Sequence, residues 1–229
     1  MGPPRAVLFD LDQTLLDFDR AQRIALSATL RAQGLPYSPA ILRRFRRIND
    51  AVWEDYRRGR LTTSVLKRER FRRLLAELGD GTRRARSLSE RFLDRLAERG
   101  DLLPGCRRML QQLARHFRLG VVSNGIDRVQ RSRLAAARLD RFFEVVVTSE
   151  GCGFAKPDPR ILWTALERLA IPPRRALYVG DDALTDGLAA QRAGVAFCWL
   201  DARAPRPASA PRPRFRVGRL DELPAVVGL

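Results

Sequence analysis

Acidic residues stand directly after short apolar stretches of this sequence, at a spacing that supports nucleophilic and acid–base chemistry. Asp10 and Asp12 follow the apolar run at 6–9, and Asp181 follows another run at 176–179. A free aspartate has a pKa near ~3.9 and is already ionised at neutral pH, so Asp10 needs no general base to attack. Asp12, two positions on, is a candidate for moving the proton that such a reaction requires.

Groups suited to binding an anion follow two other stretches. Ser123 offers a hydroxyl, and the backbone amides of Asn124 and Gly125 stand just ahead of a predicted helix, where N–H groups favour phosphate. Lys156 is one of two lysines among 43 basic residues, so a compact ammonium is placed here in a chain that otherwise uses arginine. An ammonium is a compact point charge, which suits the binding of an anion. The alternative is an ordinary lysine in a loop.

The elements around these residues predict an α/β fold that brings them together. Apolar, β-rich runs predict buried parallel strands near 6–9, 119–122, 145–147, 176–179, 195–199 and 215–217. Helix-length segments separate most of these runs, so we expect a doubly wound parallel sheet with the first strand between the second and the fourth. The polar residues follow the carboxyl ends of the strands, the edge at which such sheets bind ligands.

Residues 15–102 interrupt this alternation. The interval contains no convincing strand and predicts amphipathic helices, for example Phe18–Gln33, Pro39–Arg58, Thr63–Leu78 and Ser87–Arg99. An insertion of this length is too long for a loop. We therefore expect an all-helical cap domain at 15–102, inserted into a catalytic core made of 1–14 and 103–229.

Composition and charge exclude several other classes of protein. The chain is 45% hydrophobic and 30% charged, as globular domains are, and no apolar run approaches the roughly 20 residues that cross a bilayer. No signal-peptide pattern precedes Asp10 and the three cysteines are widely spaced, so we expect a cytoplasmic protein without disulfides.

The net charge is +17, but the arginines are spread along helices and no usual nucleic-acid motif occurs. We expect neither a nucleic-acid nor a membrane partner, and the oligomeric state stays open.

The sequence resembles haloacid-dehalogenase-superfamily hydrolases in four motifs that occur in the family's order. They are Asp10-Leu11-Asp12-Gln13-Thr14, Val122-Ser123-Asn124-Gly125, Lys156-Pro157-Asp158-Pro159 and Gly180-Asp181-Asp182-Ala183-Leu184-Thr185-Asp186. The resemblance implies a Rossmann-like core whose helical insertion is a C1 cap. It also implies a phosphomonoesterase in which Asp10 forms an aspartyl-phosphate. Asp12 would protonate the leaving oxygen and then accept a proton from the hydrolytic water.

The resemblance also implies the ligands of the site. Catalysis would depend on three residues, namely Asp10, Asp12 and Lys156. Phosphate would be bound by Ser123, Asn124 and Lys156. Carboxylates about 4 Å apart repel by roughly 4 kcal/mol at an effective dielectric of about 20, so a hard cation must be present, and all-oxygen ligands favour Mg²⁺. The metal ligands would be Asp10, the backbone carbonyl of Asp12, Asp181 and Asp186, with Asp182 as an alternative in the metal's shell.

Inside the insertion, a further set of residues resembles the caps of bacterial housecleaning pyrimidine 5′-nucleotidases. Those to which the resemblance gives a role in substrate specificity are Trp53, Tyr56, Arg70 and Phe71. The small-molecule phosphate ester would then be a pyrimidine nucleoside 5′-monophosphate. The alternatives are that these residues form the core of the cap, or that the substrate is phosphoglycolate or a sugar phosphate. A 2-haloacid dehalogenase, which would not need Asp12, and a non-catalytic phosphate-binding protein are further alternatives.

Overall fold

The fold comes from a computed structural model that describes residues 4–200 and 207–229. The chain divides into two compact units: the first ends at Phe18 and resumes at Gly100, and the second is Asp19–Arg99. The expected limits of the cap, 15 and 102, lie a few residues outside the second unit.

One parallel sheet organises the first unit. Its strands within the described residues are β1 (Ala6–Phe9), β2 (Arg118–Ser123), β3 (Val145–Thr148), β4 (Ala176–Gly180), β5 (Ala196–Leu200) and β6 (Phe215–Val217). The strand order is β3-β2-β1-β4-β5-β6, so β1 lies between β2 and β4 as the sequence predicts. Phe9 pairs with Val121 on one side and Val179 on the other. The residues that follow these strands therefore emerge at the same edge of the sheet.

The second unit is helical, which confirms the prediction of an all-helical insertion. Its helices are α1 (Phe18–Arg31), which begins at the boundary, α2 (Pro39–Arg57), α3 (Thr63–Glu77) and α4 (Ala85–Ala97). The side chains of Ser38 and Thr62 cap α2 and α3 by accepting backbone N–H groups of the first turn. The buried rings of Phe45, Phe71 and Phe92 pack with centroids 5.2, 5.4 and 5.5 Å apart and form the aromatic centre of the cap.

Helices cover both faces of the sheet in the first unit. They are α5 (Cys106–Leu113), α6 (Asp127–Ala136), α7 (Ser149–Cys152), α8 (Arg160–Arg168), α9 (Thr185–Ala193) and α10 (Leu223–Val226). Successive side chains of a strand point to opposite faces, so Leu8 lies in one apolar cluster while Val7 and Phe9 lie in the other. Both faces of this parallel sheet are therefore buried under helices. No helix of the described residues combines the length and the apolar composition needed to cross a bilayer.

Candidate active site

The carboxyl edge of the sheet collects the predicted acidic residues. Asp10 follows β1, and its backbone N–H donates to the carbonyl of Val179 in β4 at 2.8 Å. Asp181 follows β4, and Asp186 lies in the first turn of α9. One carboxylate oxygen of each of these aspartates lies within 4.8 Å of the other two. The pairing of β1 with β4 thus brings together side chains that are more than 170 positions apart in sequence.

Lys156 reaches this acidic cluster from the segment between α7 and α8. Its buried ammonium donates to Asp10 Oδ1 at 2.5 Å, to Asp186 Oδ1 at 2.7 Å and to the Tyr178 hydroxyl at 2.9 Å. An ammonium has three N–H donors, and all three therefore have an oxygen partner. Lys156 is the cation that faces Asp10, as its position in the sequence suggests.

The acidic cluster contains more carboxyl groups than cations, so a further cation would be favourable there. Burial raises the pKa of Asp10 to about 7, against the opposing effect of Lys156 and with additional repulsion from Asp186 and Asp12. Burial, together with the charges of Asp10 and Asp186, raises the pKa of Asp181 to about 8. Burial alone would lower the pKa of Lys156, but the two carboxylates that it contacts raise it well above its usual value. Two buried carboxyl groups and the half-buried one of Asp181, with one ammonium, form a donor set that fits a divalent cation with oxygen ligands.

The residues that the sequence predicts to bind phosphate, Ser123 and Asn124, lie at the end of β2 and directly after it. Ser123 Oγ accepts the backbone N–H of Gly125 at 3.1 Å. The Asn124 side chain forms a reciprocal pair with the backbone of Lys156: Nδ2 donates to the Lys156 carbonyl at 3.0 Å, and the Lys156 N–H donates to Oδ1 at 2.7 Å. The side chain of Asn124 therefore fixes the loop that carries Lys156. The backbone N–H of Asn124, which the sequence singles out for an anion, takes no part in this reciprocal pair.

Asp12 is held by helix α6. Gln130 Nε2 donates to Asp12 Oδ2 at 2.7 Å, and Arg133 Nη1 donates to Asp12 Oδ1. Both donors are buried, and the Arg133 guanidinium lies 5.5 Å from the centroid of the Phe18 ring. The Asp12 side chain itself is 30% exposed. Both oxygens of this more accessible carboxylate are thus oriented by interior side chains.

The sequence matches one protein family over most of its length. Residues 4–194 match the model described as haloacid dehalogenase-like hydrolase. The chain belongs to the haloacid dehalogenase-like hydrolases. It is therefore an enzyme, and Asp10 lies at the sheet edge described above.

Several relatives of this haloacid dehalogenase-like hydrolase carry a more specific name. The chain is 34% identical over 225 residues to the pyrimidine 5′-nucleotidase YjjG of Escherichia coli K12, covering 95% of each protein. It is 32% identical over 200 residues to the pyrimidine 5′-nucleotidase PynA of Streptococcus pneumoniae, covering 85% of this chain and 83% of that protein. The solved structure of the HAD-hydrolase YfnB of Bacillus subtilis, bound to magnesium, matches with a TM-score of 0.90 and 27% identity over all of both chains.

The cap residues expected to set specificity occupy two different environments. Trp53 and Tyr56 are half-buried on α2 and pack edge to face, with centroids 5.6 Å apart. Phe71 is fully buried in the aromatic centre of the cap, which corrects the expectation that its ring meets a substrate. Arg70 is also buried: its Nη1 donates to Asn49 Oδ1 at 3.3 Å, and burial lowers its pKa to about 10. Phe71 is therefore a residue of the cap core. Its position in the helical periodicity is the same for a core residue as for a residue that binds substrate.

Three residues of the site are not singled out by the sequence. Tyr178 lies inside the apolar run of β4, so nothing in the sequence distinguishes it from the core residues around it. Gln130 and Arg133 are three positions apart on α6, which places them on one face of the helix. That spacing, directly after the Ser123-Asn124-Gly125 segment, is the signal that could have found them. This spacing indicates that Gln130 and Arg133 share Asp12 as a partner only when β1 is placed beside β2.

Proposed function

We propose that this hydrolase is a Mg²⁺-dependent phosphomonoesterase that acts on pyrimidine nucleoside 5′-monophosphates through an aspartyl-phosphate on Asp10. The observation that carries the proposal is the 2.5 Å contact of Lys156 Nζ with Asp10 Oδ1 inside the carboxylate cluster. A buried ammonium beside a carboxylate attracts a phosphate dianion toward the nucleophile and offsets the repulsion between them.

The reaction would proceed in two displacements at phosphorus. A carboxylate oxygen of Asp10 attacks phosphorus, the bond from phosphorus to the nucleoside 5′-oxygen breaks, and Asp12 donates its proton to that oxygen. The nucleoside leaves, and Asp10 carries the phosphoryl group. Water then attacks phosphorus, Asp12 takes the proton of the water, and the bond to Asp10 breaks. Orthophosphate and the free Asp10 carboxylate are the products.

The residues that would hold Mg²⁺ are Asp10, Asp181 and Asp186, together with the backbone carbonyl of Asp12. The ion, when bound, supplies the positive charge that lets carboxylates and a phosphate share one site. Ser123, with the backbone at Asn124, would bind the phosphate oxygens and orient phosphorus toward Asp10. The Lys156 ammonium, whose three N–H groups have protein partners, would attract the phosphate by its charge.

The choice of a pyrimidine nucleotide rests on the relatives and on the cap. Two pyrimidine 5′-nucleotidases align with most of this chain at 34% and 32% identity. The half-buried pair of Trp53 and Tyr56 offers an aromatic surface, and stacking of a base on such a surface contributes roughly 1–3 kcal/mol. Since about 1.4 kcal/mol corresponds to a tenfold change in affinity, stacking would favour a nucleotide by about 10- to 100-fold over an ester without a base.

The test is kcat/KM with Mg²⁺ across UMP, dUMP, dTMP, AMP, phosphoglycolate and glucose phosphates. We expect the pyrimidine nucleotides to be the best substrates and Asp10→Asn to abolish turnover of all of them. Trp53→Ala should lose nucleotide activity and keep activity on 4-nitrophenyl phosphate. Trp163→Ala, which removes an exposed tryptophan of α8, is the matched control. A preference for phosphoglycolate or sugar phosphates would refute the nucleotide substrate and leave the phosphatase chemistry standing.

A further inference from the structure

A hydrogen-bonded network on α6 joins Ser123 to Asp12. The amide nitrogen of Gln130 donates one hydrogen to Ser123 Oγ at 2.8 Å and the other to Asp12 Oδ2 at 2.7 Å. Its Oε1 accepts from Arg133 Nη1 at 3.1 Å, and the same Arg133 nitrogen donates to Asp12 Oδ1. Gln130 thus uses both of its amide hydrogens on groups of the site and its oxygen on the Arg133 donor.

Gln130 and Arg133 on α6 are buried, whereas the Asp12 carboxylate that they contact is partly exposed. Gln130 is 2% exposed and Arg133 is 0% exposed, so neither long side chain retains the rotamer freedom of a surface residue. Asp12 lies between β1 and α1, where its backbone forms an isolated β-bridge with Leu16. A partly exposed carboxylate has several accessible rotamers, and two buried donors on its two oxygens select one of them.

Gly125 shows that this part of the core is shaped around the Gln130 amide. A Cβ atom at position 125 would lie 2.3–2.4 Å from the Nε2, Cδ and Cγ atoms of Gln130. Any larger residue would therefore push the amide away from its present position. Because the Gly125 N–H also donates to Ser123 Oγ, the backbone and the amide share that acceptor.

We infer that Gln130 and Arg133 are positioning residues that orient the Asp12 carboxylate for proton transfer and couple its orientation to the Ser123 hydroxyl. The inference rests on the proposed function, in which Asp12 donates the proton to the leaving oxygen. Neither residue needs to touch the reacting atoms. Each acts through Asp12, so the loss of either one should matter most where the leaving group most needs a proton.

The first experiment compares 4-nitrophenyl phosphate with phenyl phosphate, two esters of similar size whose leaving groups differ in their need for a proton. The measured quantity is kcat/KM with Mg²⁺, which reports the steps up to departure of the leaving group. Gln130→Leu should lower kcat/KM about 10- to 100-fold for phenyl phosphate and only a few-fold for 4-nitrophenyl phosphate, a part of the 10²–10⁴-fold that general acid–base help supplies. Gln112→Leu, at an exposed position of α5, is the matched control and should change neither value.

Two further variants test the same contact without removing Gln130. Gly125→Ala should give the same dependence on the leaving group, because its methyl group displaces the Gln130 amide. Arg133→Lys keeps a cation and should retain more phenyl phosphate activity than Arg133→Met, with the melting temperature of each variant measured to separate misfolding from mispositioning. Arg131→Lys, at an exposed site of the same helix, is the control.

A double mutant separates action through Asp12 from other roles. In an Asp12→Asn background, Gln130→Leu should cause little additional loss, because residues that act through one group are not additive. Losses of equal size on both esters, or losses that multiply with Asp12→Asn, would overturn the inference and assign Gln130 to Ser123 or to the fold alone. A wild-type enzyme with no activity on either ester would instead refute the proposed function, a result distinct from an active enzyme whose Gln130 variant shows no leaving-group effect.

Discussion

At the scale of single residues, the site depends on the shape of each charged group as well as on its sign. The Lys156 ammonium lies among oxygens of Asp10, Asp186 and Tyr178 at 2.5–2.9 Å, and the residue is only 3% exposed. A guanidinium is planar and presents its donors as a fork on a longer side chain. It cannot meet the same acceptors in the same volume.

Lys156→Arg should therefore be damaging although it keeps the charge. We expect kcat/KM for a good phosphate ester to fall by about 10²-fold or more, in line with the removal of a preorganised group that stabilises charge at the reacting centre. The chain has one other lysine, so Lys67→Arg on cap helix α3 is the matched control and should keep wild-type activity. Full activity in Lys156→Arg would show that the position requires only a positive charge.

At the scale of elements, the segment from the end of β4 to the start of α9 sets the geometry of two carboxylates. Asp182 Oδ1 accepts the backbone N–H groups of Leu184 and Thr185 at 2.9 and 3.0 Å. The backbone N–H of Asp182 donates to Asp186 Oδ2 at 3.1 Å. Asp182 is thus engaged at the start of the helix, and its backbone orients Asp186 toward Lys156.

Gly180, the last residue of β4, lies against Asp186 and gives a prediction at this scale. A Cβ at position 180 would lie 2.2–2.8 Å from side-chain atoms of Asp186, so Gly180→Ala must displace that carboxylate. We expect activity to fall at least about tenfold and the Mg²⁺ concentration for half-maximal activity to rise, since a displaced ligand weakens metal binding.

The matched control for Gly180→Ala is Gly81→Ala, at a cap position where a Cβ would meet no atom within 4 Å. It should leave both the activity and the Mg²⁺ dependence unchanged. Wild-type Mg²⁺ dependence in Gly180→Ala would show that Asp186 is not a ligand of the ion.

At the scale of the whole molecule, arginines along the helices form ion pairs with nearby acidic side chains. On the cap helices, Arg57 and Arg58 both pair with Glu54, and Arg72 pairs with Glu69, within one turn of the same helix. Exposed pairs of this kind contribute about 0–1 kcal/mol each. The pattern is typical of solvated helix faces.

The stability of the whole fold should depend jointly on pH and Mg²⁺. Asp10 and Asp181 have pKa values of about 7 and about 8, above those of an unfolded chain, so the metal-free folded state binds more protons than the unfolded state between about pH 4 and pH 8. Their contribution to stability is fully present below that window and is lost as pH rises through it. Mg²⁺ binds the deprotonated carboxylates, so its stabilising effect should increase over the same range.

The measurement is the melting temperature at pH 5.5 and pH 8, each with EDTA and with excess Mg²⁺. The increase caused by Mg²⁺ should be larger at pH 8, by about 2–4 °C for each ~1 kcal/mol for a protein of this size. Comparing the two metal conditions at one pH cancels the titration of groups elsewhere. Asp181→Asn should weaken the pH dependence of the Mg²⁺ effect, and an equal effect at both pH values in the wild type would contradict the prediction.

The positions of the helices and strands, and the sheet edge at which the acidic residues meet, follow from patterns along the chain. The cap helix predicted at Pro39–Arg58 is Pro39–Arg57, because apolar periodicity and a proline at the helix start are local properties of the chain. Asp10 and Asp181 lie together because the carboxyl ends of parallel strands share one edge, which follows from the order of strands and helices.

Contacts between polar groups and the burial of aromatic rings depend on how the elements pack, which the sequence pattern does not show. Gln130 meets Asp12 across 118 positions of sequence, and Tyr178 reaches Lys156 from inside an apolar strand. Phe71 has the helical spacing of a binding residue and is nevertheless the centre of the cap. Periodicity defines the face of an element on which a side chain lies, whereas contact and burial depend on the neighbouring element that covers that face, which is a property of the packed molecule.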